Sequence, residues 1–174
     1  KGDSVMQVAL AINPNSPIRN YSEYMKFTDT GKLLVAGGNI NYFDNVFYNG
    51  TLMEYHSDGD KWVSFPEDTI KKLTRLGYMN ICSVDEDPTE PGHYFASSFS
   101  NGLFEFRNGE YVQQYDFTNS IIESAVPNDR AWVRVPFAAF DKEGNLWCLN
   151  SDVKDVVKVL KKDGTWSALE YKEL

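Results

Sequence analysis

A pattern of four short strands with a glycine turn occurs three times in this chain of 174 residues. The turns between the third and fourth strands contain Gly59, Gly109 and Gly164, which lie 50 and 55 residues apart. Because glycine adopts positive φ without steric cost, such a turn between two apolar runs predicts a β-hairpin. A period near 50 residues with four strands per unit is typical of a β-propeller blade; a β-sandwich with similar hairpins is the alternative.

The repeat divides the chain into three predicted blades joined by connectors. The divisions are an N-terminal strand and connector at 1–21, blade 1 at 22–66, a connector at 67–78, blade 2 at 79–116, a connector at 117–132 and blade 3 at 133–174. Apolar spacing also predicts a strand at 5–12 and a short helix at 66–77. Three blades are too few to close a ring. We therefore predict an all-β fold, a partial ring of about three four-stranded antiparallel blades, completed by a larger propeller or by a second copy.

Charge and hydropathy restrict the partners and the compartment. The net charge is −8 and the five arginines are dispersed, which argues against nucleic acid as a partner. The sequence has no apolar run of the roughly 18 residues that a transmembrane helix needs. Residues 1–4 do not resemble a signal peptide, so the chain is expected to be cytosolic, already processed or part of something longer. Cys82 and Cys148 fall in different blades, where buried free thiols are expected and a disulfide is the alternative.

An acidic turn in blade 2 is the main candidate for a metal. Asp85, Asp87 and Glu90 offer oxygen ligands for calcium, although the EF-hand spacing is absent. The alternative is a solvated acidic turn that binds nothing. His56 and His93 lack a second His or Cys at zinc spacing and are expected to be ordinary strand histidines. We therefore predict no cofactor, with calcium at this turn as the alternative.

Catalytic motifs are weak throughout the sequence. No G-x-S-x-G nucleophile motif is present. Residues 141–147 come near the aspartate box of propeller sialidases but carry one extra residue between Asp and Gly. Such enzymes also need clustered arginines for the substrate carboxylate. We therefore predict a non-enzymatic protein; a glycan-active enzyme is the alternative, and Glu123 and Arg130 would be the first residues to test.

The insertion at 37–50 is the predicted ligand surface, together with the connector at 117–132. The insertion carries aromatic rings beside amides and a carboxylate, a combination that suits a sugar ring or a peptide. The alternative is that the rings cover a neighbouring blade. The candidate ligand-binding residues are Asn41, Tyr42, Phe43, Asp44, Phe47, Tyr48, Glu123 and Arg130.

Residues 140–147 resemble the core of the two-component regulator propeller repeat. Over about 20–170 the chain resembles more closely the PorZ-like propellers of the type IX secretion machinery, in runs at 34–38, 48–53, 95–98, 101–106 and 159–166. This resemblance implies a large extracytoplasmic protein, in the periplasm or on the cell surface, with two seven-bladed propellers.

The resemblance also implies partners. PorZ-like proteins act in a surface attachment complex that handles anionic lipopolysaccharide, so glycans, lipopolysaccharide or proteins are the expected partners. Hybrid two-component sensors use such propellers to detect glycan fragments, and an ectodomain piece of such a sensor is an alternative. The 174 residues include no kinase, membrane helix or C-terminal sorting domain, so neither full activity is assigned to them.

Overall fold

The structure is a computed structural model that describes residues 15–38, 40–41, 46–47, 49–65 and 77–170. The predicted strand at 5–12 lies outside the described residues, as does the predicted helix at 66–77 except for its last residue. Within the described ranges the chain forms fourteen β-strands and a single three-residue 3₁₀ helix, Arg130–Trp132. The described part of the chain is therefore almost wholly β-structure.

The first sheet is antiparallel and pairs its strands in the order β1-β2-β5-β6. Its strands are β1 (Ser22–Phe27), β2 (Leu33–Gly37), β5 (Thr51–His56) and β6 (Lys61–Ser64). Between β2 and β5, the short strands β3 (Ile40–Asn41) and β4 (Val46–Phe47) pair with each other. The predicted insertion at 37–50 therefore contains a short two-stranded ladder, where the β-branched Ile40 and Val46 favour extended backbone.

The second and third sheets are also four-stranded and antiparallel, and each pairs its strands in sequence order. The second contains β7 (Ile81–Glu86), β8 (His93–Ser98), β9 (Gly102–Arg107) and β10 (Glu110–Tyr115). The third contains β11 (Phe137–Phe140), β12 (Leu146–Leu149), β13 (Val157–Leu160) and β14 (Trp166–Leu169). The predicted class, three four-stranded antiparallel blades of a partial propeller, is confirmed.

Blade 2 lies between the other two, because β7 contacts β1 and β2 on one side and β11 on the other. Side chains alternate along β8: Tyr94 and Ala96 join the core shared with blade 1, and Phe95 joins the core shared with blade 3. All six residues of β8 are consequently buried. This double burial explains why the sequence of β8 does not show an alternation of polar and apolar residues.

The repeat motif at 141–147 forms a clamped hairpin turn. The Asp141 carboxylate accepts hydrogen bonds from the backbone N–H groups of Glu143 (3.0 Å) and Asn145 (2.8 Å). It also accepts from Asn145 Nδ2 at 2.9 Å and from Trp147 Nε1 at 2.8 Å. Gly144 has a φ of +83°, which glycine adopts readily. The spacing of Asp, Gly, Asn and Trp is therefore explained by the closure of the β11–β12 turn.

Both cysteines are free thiols. The Cys82 thiol donates to the backbone oxygen of Asn80 at 3.2 Å. Burial raises the pKa of Cys148 to about 12, so this thiol stays protonated and unreactive at neutral pH. The disulfide alternative is not formed.

Candidate functional site: the cleft between blades 2 and 3

A cavity of about 390 Å³ separates blade 2 from blade 3 and is called the interblade cleft here. Its walls combine charged side chains with aromatic rings from both blades. The lining includes His93, Glu105, Arg107 and Tyr115 of blade 2 and Lys161, Lys162 and Trp166 of blade 3. The cleft thus brings apolar ring faces, cations and carboxylates together around one small volume.

The strand register of blade 2 brings the charged residues of the cleft together. His93 pairs with Arg107 across the β8–β9 ladder, and Phe95 pairs with Glu105. Residues two apart on a strand share a face, so His93 and Glu105 become diagonal neighbours on the side that faces blade 3. From the sequence alone, His93 is predicted to be an ordinary strand histidine. The signal that could have found this site is the alternation of charged residues in β9, aligned with His93 by the short turn at 99–101.

Glu105 is the centre of the polar network in the cleft, although it is only 5% exposed. Its carboxylate contacts His93 Nε2 at 3.0 Å, Arg107 Nε at 3.1 Å and the Tyr115 hydroxyl at 2.7 Å. Burial alone would raise the pKa of Glu105, but the bonds from His93 and Tyr115 and the charges nearby lower it to about 2. Glu105 is therefore an ionised, buried carboxylate. Burial, followed by the bond to this anion, raises the pKa of Tyr115.

His93 presents its two ring nitrogens to different surroundings. Its side chain is 10% exposed and its ring contacts Phe95 and Phe140, with centroid separations of 5.3 and 5.9 Å. Nε2 bonds Glu105, whereas Nδ1 is buried and has no hydrogen-bond partner among the described residues. Two carboxylate oxygens lie close to Nδ1: Asp87 Oδ2 at 3.4 Å and Glu90 Oε2 at 3.5 Å. One nitrogen atom and two oxygen atoms therefore face one another.

The turn between β7 and β8 fixes both carboxylates beside the ring. Its backbone is closed by bonds from Asp87 N to His93 O (2.8 Å) and from His93 N to Glu90 O (3.0 Å). Asp87 Oδ1 accepts from the backbone N–H and the hydroxyl of Thr89, both at 2.8 Å. Glu90 Oε1 is bound by Arg107. Each carboxylate therefore has one oxygen engaged elsewhere and one oxygen left facing Nδ1.

Of the predicted calcium ligands, the structure brings Asp87 and Glu90 together but places Asp85 elsewhere. Asp85 Oδ2 accepts from Lys26 Nζ at 2.6 Å and from the backbone of Phe140 at 2.8 Å. Asp85 Oδ1 accepts from the backbone of Glu86. Asp85 therefore joins the three blades at their inner strands, and the cluster of possible metal ligands is Asp87, Glu90 and His93.

The connector residues Glu123 and Arg130 bind different partners. Glu123 Oε1 lies 2.5 Å from Nζ of Lys158, whose side chain is 3% exposed. Arg130 Nε lies 3.2 Å from Asp116 Oδ2, and its Nη2 donates to the Thr118 hydroxyl at 2.9 Å. Both residues thus have an evident structural role in attaching the connector, and their ligand role stays a prediction.

The predicted aromatic surface at 37–50 falls largely outside the described residues. This applies to Tyr42, Phe43, Asp44 and Tyr48. Asn41 and Phe47 lie on the small β3–β4 ladder, where Asn41 pairs with Val46 and Ile40 with Phe47. The assignment of ligand contacts to these six residues stays a prediction.

Within the described residues no helix is long and apolar enough to cross a membrane. No protein-family model matches the chain, and no curated protein sequence matches it. Among solved structures, the chain is similar to PorZ of Porphyromonas gingivalis, described as an essential bacterial surface component of the type IX secretion system. The TM-score is 0.78 and the identity 26%, over 92% of this chain and 21% of that chain.

This chain therefore spans about a fifth of the length of the PorZ chain it matches. Identity at this level over nearly the whole chain supports a relation in sequence as well as in fold. The three blades described above have the architecture of one part of PorZ.

Proposed function

We propose that this chain is a non-enzymatic, extracytoplasmic propeller module that binds a glycan, a lipopolysaccharide or a protein, within a larger PorZ-like surface or secretion-associated protein. The observation that carries the proposal is the likeness to PorZ, a bacterial surface component, over 92% of the chain. Propellers present their ligand sites where loops and blade edges converge, and the interblade cleft lies at such a place.

The chemistry of the cleft favours a glycan that carries anionic groups. Tyr115 and Trp166 meet edge to face, with ring centroids 5.8 Å apart, and Trp166 is only partly buried. Aromatic faces of this kind can pack on the C–H faces of a sugar ring. Lys161 and Lys162 are exposed on the blade 3 side of the cleft and supply cations for phosphate or carboxylate groups.

The test is titration of the chain with a phosphorylated lipopolysaccharide core oligosaccharide and with its dephosphorylated form, followed by calorimetry. We expect Lys161→Ala combined with Lys162→Ala to weaken binding of the phosphorylated form by about tenfold, since each surface charge contact contributes up to about 1 kcal/mol. Trp166→Ala should weaken binding of both forms. Lys154→Ala, an exposed lysine on another loop of blade 3, is the matched control and should bind as the parent does.

A second pair of variants separates the cleft from the predicted surface at 37–50. If Tyr42→Ala with Phe43→Ala abolishes binding and the cleft variants do not, the ligand site lies on the insertion instead of in the cleft. If neither pair has an effect, or if the chain binds no oligosaccharide, the glycan proposal is wrong. Turnover of chromogenic glycosides would overturn the non-enzymatic proposal.

A further inference from the structure

The three atoms that face one another at the mouth of the cleft are all electron-pair donors. His93 Nε2 lies 3.0 Å from the Glu105 carboxylate, which is an acceptor, so Nε2 is the nitrogen that donates. Nδ1 faces Asp87 Oδ2 and Glu90 Oε2. A buried nitrogen between two carboxylate oxygens needs a positive charge among them, either a proton on Nδ1 or a metal ion.

We propose that Asp87, Glu90 and His93 form a binding site for a divalent transition metal ion, with Zn²⁺ as the ion that fits best. The three ligand atoms all lie within 4.8 Å of one another. For bonds of about 2.1 Å, two ligands of a tetrahedral zinc ion lie about 3.4 Å apart. The separations of 3.4 and 3.5 Å between Nδ1 and the two oxygens match this spacing. The side chain of Glu90 is 54% exposed, and Arg107 binds only its Oε1, so Oε2 has room to adjust the remaining distance.

The surroundings of the ring match those of a metal-bound histidine. Metal-ligating histidines usually donate the other ring N–H to a carboxylate, which fixes the tautomer and the ring orientation. Glu105 has this position, and it is held there by Tyr115 at 2.7 Å and by Arg107. Asp87 is held in the same way by Thr89. The first ligands and the residues that orient them are therefore both present before a metal binds.

The local charge also suits a dication. Asp87, Glu90 and Glu105 bring three negative charges, and Arg107 brings one positive charge, so two negative charges remain for the ion to neutralise. Lys161 and Lys162 are the cations on the facing wall of the cleft, and both are exposed to solvent. The imidazole nitrogen separates this site from the calcium site expected from sequence, because calcium prefers six to eight oxygen ligands.

Three protein ligands leave one coordination position of a tetrahedral ion open. The ligand residues line the same 390 Å³ cavity as Tyr115 and Trp166, so a molecule bound in the interblade cleft would lie beside the ion. Sites of this kind accept water or an oxygen of a bound molecule as the fourth ligand. The metal site stands independently of the glycan proposal, and a ligand in the cleft would be able to complete it.

The test is titration of the whole 174-residue chain with Zn²⁺ by calorimetry at neutral pH. We expect one ion per chain with micromolar affinity or tighter, and no competition from equimolar Ca²⁺. Glu90→Gln should weaken Zn²⁺ binding at least about tenfold without affecting folding, because Glu90 is half exposed. His93→Gln should abolish binding. Glu105 would orient the His93 ring without touching the ion, so Glu105→Gln should weaken Zn²⁺ binding about 10- to 100-fold.

His56→Gln is the matched control, because His56 is the other histidine of the chain and lies on blade 1. Its affinity for Zn²⁺ should equal that of the parent. Nitrogen NMR of His93 gives an independent readout, since Zn²⁺ should shift the Nδ1 resonance and leave the proton on Nε2. The proposal is overturned if no Zn²⁺ binds, if Glu90→Gln and His93→Gln bind it as the parent does, or if Nδ1 stays protonated when Zn²⁺ is added.

Discussion

The Asp141 carboxylate receives four hydrogen bonds within one turn, so a single side chain closes the β11–β12 hairpin. Asp141→Asn keeps the size of the side chain but replaces one acceptor oxygen with a donor, next to Trp147 Nε1 or the Asn145 amide. We expect a loss of about 1 kcal/mol in the free energy of unfolding, a small value because the site is open to solvent. This corresponds to a fall of about 2–4 °C in Tm, measured by calorimetry.

The same substitution has a defined pH dependence. Partial burial tends to raise the pKa of Asp141, but the hydrogen bonds from Trp147 and Asn145 outweigh it and lower this pKa below its ordinary value. A carboxyl group with a lowered folded pKa stabilises the fold above its unfolded pKa, near 4, and loses this effect as the pH falls. The Tm difference between parent and Asp141→Asn should therefore be full at pH 7 and shrink below about pH 4.

Glu123 neutralises a buried ammonium group, so its removal should affect stability. Glu123→Ala leaves Lys158, whose side chain is 3% exposed, without this carboxylate. We expect a loss of about 1–3 kcal/mol, below the cost of breaking a fully buried pair because Glu123 itself is half exposed. Chemical denaturation measures this loss, and adding Lys158→Met should recover much of it. Unchanged stability together with lost oligosaccharide binding would instead support the ligand role predicted for Glu123.

At the scale of the structural elements, the β11–β12 turn packs against the turn between β7 and β8. A Cβ atom at Gly144 would lie 2.8 Å from the Thr89 hydroxyl and 3.1 Å from Asp87 Oδ1. Gly164 has the same φ of +83° in the β13–β14 turn, but a Cβ atom there would meet nothing within 4 Å. Alanine substitutions at the two glycines therefore distinguish the cost of backbone strain from the cost of disturbing a contact between blades.

We predict that Gly164→Ala costs about 1 kcal/mol, from the left-handed backbone alone. Gly144→Ala should cost about 1 kcal/mol more, because Thr89 must move and its bonds to Asp87 are disturbed. Equilibrium unfolding in urea measures both variants. Equal losses in the free energy of unfolding for the two variants would show that the contact between the β11–β12 turn and the β7–β8 turn adds no cost. The Zn²⁺ affinity should fall in Gly144→Ala and stay unchanged in Gly164→Ala, because only the first displaces Asp87.

The strands and turns could be predicted from sequence because their signals are local. Asp-Gly and Asn-Gly turns, apolar alternation and the spacing at 141–147 each act within a few residues. The cluster around His93 could not be predicted in this way. It depends on the β8–β9 register, on Glu90 and Arg107 meeting across two strands, and on a buried Nδ1 without a partner. Asp85 is near the cluster in sequence, yet it lies on β7 and its carboxylate binds Lys26, whereas Asp87 and Glu90 lie in the turn that follows the strand.

At the scale of the whole molecule, the far side of blade 3 is an exposed apolar sheet face. Its members share the sheet face opposite the core between blades 2 and 3 and lie on β11, β12 and β14. They are Phe137 (40% exposed), whose ring also contacts Tyr24 of blade 1, and Trp147 (41%), Leu149 (40%) and Leu169 (52%). A contiguous apolar surface of this kind usually marks a site where another protein surface binds. The PorZ chain is about five times longer than the part matched here, so in a larger protein a further blade would suit this face.

For the 174-residue chain alone, we predict that a second copy covers this face. The chain should then associate with rising concentration, as measured by light scattering, because pairing two such faces removes apolar surface from water at about 25 cal/mol per Å². Leu149→Lys with Leu169→Lys should shift the molecule to a monomer, since two lysines on each copy would face each other across the contact. Val112→Lys is the matched control, because Val112 is 44% exposed but lies on β10 of blade 2. A monomer at all concentrations, or equal dissociation by the control, would show that the blade 3 face does not pair.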